Sequence, residues 1–148
     1  MDANKIGKVA TVARSAEQKT TRLLQESQKQ HQQKCDQLDQ LRAFKLEYET
    51  NLKHLGSKGI AARQLLDYRL FLSKLDQSID QQCRAVEASL TDLDLAREQS
   101  LATARRRTSL DKLLDQRHLE SRQGRARAEQ KESDESSLMR RFSDLGTD

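Results

Sequence analysis

Few residues of this 148-residue chain have types and spacings that could do chemistry. His31 and Cys35 stand one helical turn apart, and an antiparallel pairing of helices would bring Cys83 roughly across from them. That set could hold zinc, but a closed structural zinc site needs four ligands and the flanking Gln and Lys residues read as solvated. His54 and His118 are isolated and read as surface residues. Gly56-Ser57-Lys58-Gly59 looks like a fragment of a phosphate-binding loop, yet it lacks the Gly-x-x-x-x-Gly-Lys-Ser/Thr spacing and any preceding strand, so it reads as a turn. The run Arg105-Arg106-Arg107 could touch nucleic acid, but the chain is only 3% aromatic, which leaves little to stack on bases, and it has no nucleic-acid motif. A nucleophilic site would need a pocket that excludes water, which two paired helices do not make. The expectation is a chain with no catalytic residue, no cofactor, no metal and no nucleic-acid partner.

The elements that would position these residues follow from composition. Only 34% of the chain is hydrophobic and 34% is charged, too little apolar mass for a thick core. Proline is absent, glycine occurs five times, and Leu, Gln, Arg, Glu, Lys and Ala all favour helix. Such a composition also suits disorder, but the charges nearly balance and the leucines are periodic. No segment approaches the length of a membrane span or the apolar core of a signal peptide, so a cytosolic protein is expected. Two cysteines are too few for a disulfide framework and read as free thiols.

Leu38, Leu41, Tyr48, Leu52 and Leu55 fall on alternating three- and four-residue steps, with Lys45 the one polar occupant. Upstream the stripe fades through residues 25–34 and resumes weakly at Leu23, Ala16 and Val9. After the glycines, one heptad position reads Leu65, Leu72, Ile79, Val86, Leu93, Ser100, Arg107, Leu114; the other reads Tyr68, Leu75, Gln82, Ser89, Ala96, Thr103, Leu110, Arg117. Neither stripe can bury its edge alone, and so short a connection favours antiparallel neighbours. The spacing therefore predicts an all-α, antiparallel two-helix coiled-coil hairpin with the second helix the longer. Helix 1 would run over about 3–55, the turn over 56–59 and helix 2 over about 60–131, as one domain on the order of 80 Å long. Residues 132–148, acidic and serine-rich before an apolar set of Leu138, Met139, Phe142 and Leu145, read as a flexible tail. Counting back from the turn, helix 2 beyond about residue 115 has no partner and forms a lone arm.

Charge and aromatics give the two ends different characters. Residues 105–127 hold eight Lys or Arg against three acids, whereas residues 56–104 hold six against seven. Arg107 and Arg117 fall at seam positions, so with Arg105 and Arg106 they mark the terminal end as a surface for a partner bearing acids or carbonyl oxygens. A solvated helix face is the plainer reading of the same arginines. Nearer the turn, Phe44 and Phe71 fall outside the seam at the same level, which suggests either a binding patch or residues that merely widen the core.

The motifs Gln37-Leu38-x2-Leu41-x2-Phe44-x2-Glu47-Tyr48-x3-Leu52 and Gly59-Ile60-x7-Tyr68-x2-Phe71-Leu72-x2-Leu75-x3-Ile79 resemble FliJ, the small coiled-coil component of the flagellar type III export apparatus. Glu129-Gln130-Lys131-x2-Asp134-Glu135 is a weaker echo. The resemblance implies a non-enzymatic stalk, similar to the central stalk subunit of rotary ATPases, whose terminal end enters the hexameric ring of the export ATPase FliI. Arg105, Arg106, Arg107 and Arg117 suit that contact. It further implies binding of the export gate protein FlhA by Gln37, Leu41, Phe44, Tyr48, Phe71, Leu75, Ser78 and Gln82, traffic with export chaperones, and a cytoplasmic protein peripherally associated with the inner membrane at the flagellar base. Phe44 stands where the family commonly has tyrosine, and Ser78 and Gln82 depart from its pattern. An export chaperone or escort, or the equivalent stalk of a virulence type III system, fits the same hairpin.

Overall fold

The computed structural model describes residues 3–146. Two helices account for the described chain, α1 (Ala3–Lys58) and α2 (Ala62–Leu145), the second longer and packed antiparallel to the first. The fold is the all-α hairpin that the leucine spacing predicts. No described helix is long and apolar enough to cross a membrane. Where a single domain was expected, the chain divides into two compact units: Gln18–Ala102, and Met1–Glu17 with Thr103–Asp148.

The unit Gln18–Ala102 contains the connection. Its seam is the predicted one: Leu65, Tyr68, Leu72, Ile79, Gln82, Val86 and Ser89 are half-buried and Leu75, Leu93 and Ala96 are buried, facing Leu38, Leu41, Lys45, Tyr48 and Leu52. Leu55, expected on the stripe, is exposed. Gly56, Ser57 and Lys58 were expected in the turn but complete α1, whose last carbonyls are met locally: the Ser57 hydroxyl donates to the His54 carbonyl at 2.7 Å and the Gly59 amide to that of Gly56 at 3.4 Å. The reversal starts at Gly59, whose φ of +88° lies in the left-handed region that only glycine enters without cost. Gly59→Ala should therefore destabilise the protein by about 1 kcal/mol. Gly56→Ala should stabilise it by about 0.5–1 kcal/mol, since Gly56 is helical and a methyl there meets nothing within 4 Å. Thermal denaturation of the two variants, shifting in opposite directions, checks this.

Upstream in α1 the stripe runs one residue off the sequence reading. The row turned inward is Ile6, Ala10, Ala13, Glu17, Thr20, Leu24, Ser27, His31, Lys34 and Leu38, while Leu23 and Ala16 are exposed. Between Ala13 and Leu38 that row is mostly polar, and a hydrophobic pattern is blind to polar residues that face inward.

In the terminal unit, Ile6, Ala10 and Ala13 are buried and Leu110 and Leu114 half-buried. From Asp115 onward every described residue of α2 is exposed, so the lone arm begins where the register places it. It ends later than expected: α2 continues through 132–145, which the sequence reading assigned to a tail. No proline interrupts it, Gly124 is tolerated inside it, and a Gln130–Asp134 hydrogen bond of 3.0 Å spans one turn.

Candidate partner-binding surfaces

Four of the five aromatic residues meet near the turn. Tyr48 and Tyr68 come from the two seams, with ring centroids 5.0 Å apart. Phe44 and Phe71 hold the position just before a seam residue on their helices, and in an antiparallel pair such positions line the same edge. Their rings meet edge to face at 6.1 Å, and Phe71 lies 4.5 Å from Tyr48. Both remain open to solvent, Phe44 at 46% and Phe71 at 39%. The result is an exposed aromatic ledge on a rigid support, the anchor type that dominates protein interfaces.

Lys45 stands in the seam beside the ledge, its Nζ 2.6 Å from Asp76 Oδ1 on α2 and 3.8 Å from Glu49 Oε1. The Asp76 hydrogen bond, outweighing desolvation and joined by the charges of Asp76 and Glu49, holds the ammonium above its ordinary 10.5. Burial, then Tyr68 and Asp67, raises the Tyr48 phenol above its ordinary 10.0. Both shifts favour the protonated form in the folded state. The stability they contribute is fully present below the ordinary values and is lost as pH rises through the raised ones. The melting temperature should thus fall above pH 10, and the fall should be smaller in Lys45→Gln and in Tyr48→Phe than in the unsubstituted protein.

The other residues assigned to gate binding fall into three groups. Gln37 is exposed and Leu41 half-buried beneath it. Gln82 Nε2 donates to the Lys34 carbonyl at 2.9 Å and to Gln37 Oε1 at 3.2 Å, which ties the helices together, while Ser78 is exposed and donates to the Lys74 carbonyl. Leu75 is only 7% exposed, so it supports the ledge from below and is closed to a partner.

His31, Cys35 and Cys83 do not converge. Ser89 Oγ donates to the Val86 carbonyl, so His31 Nδ1–H donates to Ser89 Oγ at 2.7 Å, leaving Nε2 to accept from the Cys35 thiol at 3.6 Å. Cys83 Sγ faces Arg42 Nη2 at 3.9 Å instead. Among the described residues no group of three His, Cys, Asp or Glu gathers for a metal. Of the inward row of α1, these contacts pair His31.

In the terminal unit the four arginines separate. Arg105 and Arg106 are exposed. Arg107 turns inward, its Nε 2.6 Å from Glu17 Oε2, an interhelical ion pair in the seam whose angle falls short of a hydrogen bond from the buried Nε. Glu17 lies across from Arg107 in the antiparallel register, a signal the sequence carried and the hydrophobic pattern hid. Arg117 is exposed, with Glu120 3.5 Å away on its own helix, and Arg14 pairs with Asp111 at 3.1 Å. Sequence reasoning also missed an apolar groove of about 350 Å³, floored by Val9, Val12, Ala13 and Ala16 of α1, walled by Thr103 of α2 and flanked by Lys8 and Arg106.

The profile of the family described as Flagellar FliJ protein matches residues 2–144. The chain belongs to the FliJ family. It is therefore of the kind that serves as a component of the flagellar type III export apparatus, a non-catalytic part in that family. Among solved structures, a putative YscO homologue from Chlamydia trachomatis is similar to the chain with a TM-score of 0.47 and 16% identity, over 98% of this chain and 94% of its own. Comparison with curated proteins returns no match.

Proposed function

We propose that the chain is a non-enzymatic connector of the flagellar export apparatus that binds the export ATPase FliI through its terminal unit and the gate protein FlhA through the aromatic ledge. The observation that carries this reading is the ledge, because two phenylalanines are kept in solvent on a support that could have buried them. The basic stretch 105–127 supports the other contact, with Arg105 and Arg106 among its exposed cations and Arg107 committed to Glu17. Gate contact then runs through Phe44 and Phe71, with Gln37, Leu41 and Tyr48 around them. Nucleotide chemistry belongs to the ATPase, and association with the inner membrane is peripheral, through the apparatus.

The test is a pull-down of the gate's soluble part and of the ATPase by the chain, each with the other surface substituted. Loss of gate capture alone on substituting the ledge, and of ATPase capture alone on substituting Arg105 and Arg106, supports the reading; joint loss or no loss opposes it. A second reading, an escort for export chaperones, is favoured by Leu46, Leu66 and Leu70, which lie exposed outside the seam. Retention of chaperones without ATPase in the same pull-down would favour it.

A further inference from the structure

The groove of the terminal unit lies along one edge of its helix pair. Val9, Ala16 and Arg106 each stand just before a seam residue, Ala10, Glu17 and Arg107, and in an antiparallel pair such positions share an edge. Leu113 holds the same position one heptad after Arg106 and is 38% exposed. The apolar floor runs from Val9 to Ala16, about two helical turns, and Val12 within it is 69% exposed. A small apolar ligand in so open a groove would be left largely in water, whereas a helix laid along it would bury both surfaces. The charges narrow the choice further. Lys8 of α1 and Arg106 of α2 flank the floor, and two acids of the same unit, Glu17 and Asp111, are committed to Arg107 and Arg14. An apolar floor with a cation from each helix beside it fits an apolar stripe bordered by carboxylates.

We infer that the groove seats an amphipathic helix of the export ATPase, its apolar stripe on Val9, Val12 and Ala16 and its acidic border against Lys8 and Arg106. This rests on the reading of the terminal unit as the ATPase contact and changes what holds that contact together. The apolar floor supplies the anchor, and the cations set approach and register. The small Ala13 and Ala16 leave the space of about 350 Å³ into which the stripe's side chains fit. The chain's own apolar stretch at 138–145 is the poorer occupant, because Arg140 and Arg141 would meet Lys8 and Arg106 with like charge.

Titration of the full chain into the purified export ATPase, read as ATP turnover, tests the inference. Val12→Asp should raise the concentration needed for half-maximal stimulation by about tenfold or more, and the loss should persist at high salt, whereas the effect of reversing Arg105 and Arg106 should shrink there. Thr11→Asp places the same charge on the adjoining face of α1 and should shift that concentration by less than about twofold. Val12 and Thr11 are both exposed, so helicity should not change, and circular dichroism checks that. The acidic border has its own test. Carbodiimide coupling of the two proteins should join Lys8 to an Asp or Glu of the ATPase whose neighbours at three- and four-residue steps are apolar, and Val12→Asp should abolish that link. Unchanged stimulation by Val12→Asp, an equal loss in Thr11→Asp, or no Lys8 link to a segment with an apolar stripe overturns the inference and leaves the reading of the terminal unit standing on its arginines. An ATPase indifferent to the unsubstituted chain overturns both.

Discussion

A Phe71→Ala chain should bind the export gate roughly 30-fold more weakly, a loss of about 2 kcal/mol, while keeping its helicity. The size follows from Phe71's place at the centre of the ledge. Its ring centroid lies 4.5 Å from that of Tyr48 and 6.1 Å from that of Phe44, yet the residue is 39% exposed. Truncation removes the anchor and the wall against which Phe44 stands, so both halves of the ledge are lost to a partner. The cost to the fold is smaller, about 1 kcal/mol for the lost ring pairs, because the seam beneath is intact. Leu75→Ala is the contrast. That side chain is buried, so its removal should cost about 2–5 kcal/mol of stability and impair gate binding only as far as it unfolds the support. Calorimetric titration of the gate with each variant, alongside thermal melts, separates the two roles. Unchanged gate affinity in Phe71→Ala would take the ledge out of the account.

The second large effect concerns the arginines, which charge counting treats alike and the structure does not. Reversing Arg105 and Arg106 to glutamate should raise the concentration needed for half-maximal stimulation of the export ATPase by about tenfold, without moving the melting temperature, because both are exposed. Arg107→Glu should do the opposite first. It would set a carboxylate against Glu17 in a half-buried seam, costing about 2 kcal/mol once partial exposure is allowed for. Glu17→Arg in the same chain should restore the melting temperature. ATPase titrations at two salt concentrations and melts of the three variants check this. If Arg107→Glu melts like the unsubstituted protein, the ion pair contributes nothing.

What could be read before the structure was whatever the apolar pattern encodes. Leu65 to Leu93 and Leu38 to Leu52 set the register, and the register alone placed Phe44 beside Phe71 and the start of the arm at residue 115. What could not be read was carried by polar residues. Glu17, Thr20, Ser27, His31 and Lys34 face inward, and a pattern built on leucine slides by a residue where they take over. The turn was misplaced because two glycines three residues apart look equivalent, whereas of the two only Gly59 has the backbone conformation that needs glycine. Leu75 was assigned to the gate surface by the family resemblance, although its heptad position had already placed it in the seam, where it is buried. The end of α2 was taken for a tail because serine and acid clusters mark fraying ends, but nothing in them forbids a helix.

The most direct test of a non-enzymatic connector is ATP turnover by the purified export ATPase as this chain is titrated in, with the chain alone as the blank. The account predicts that turnover rises and saturates as the chain promotes the hexamer, and that the blank hydrolyses no ATP. A flat titration, or turnover by the chain alone, would contradict it.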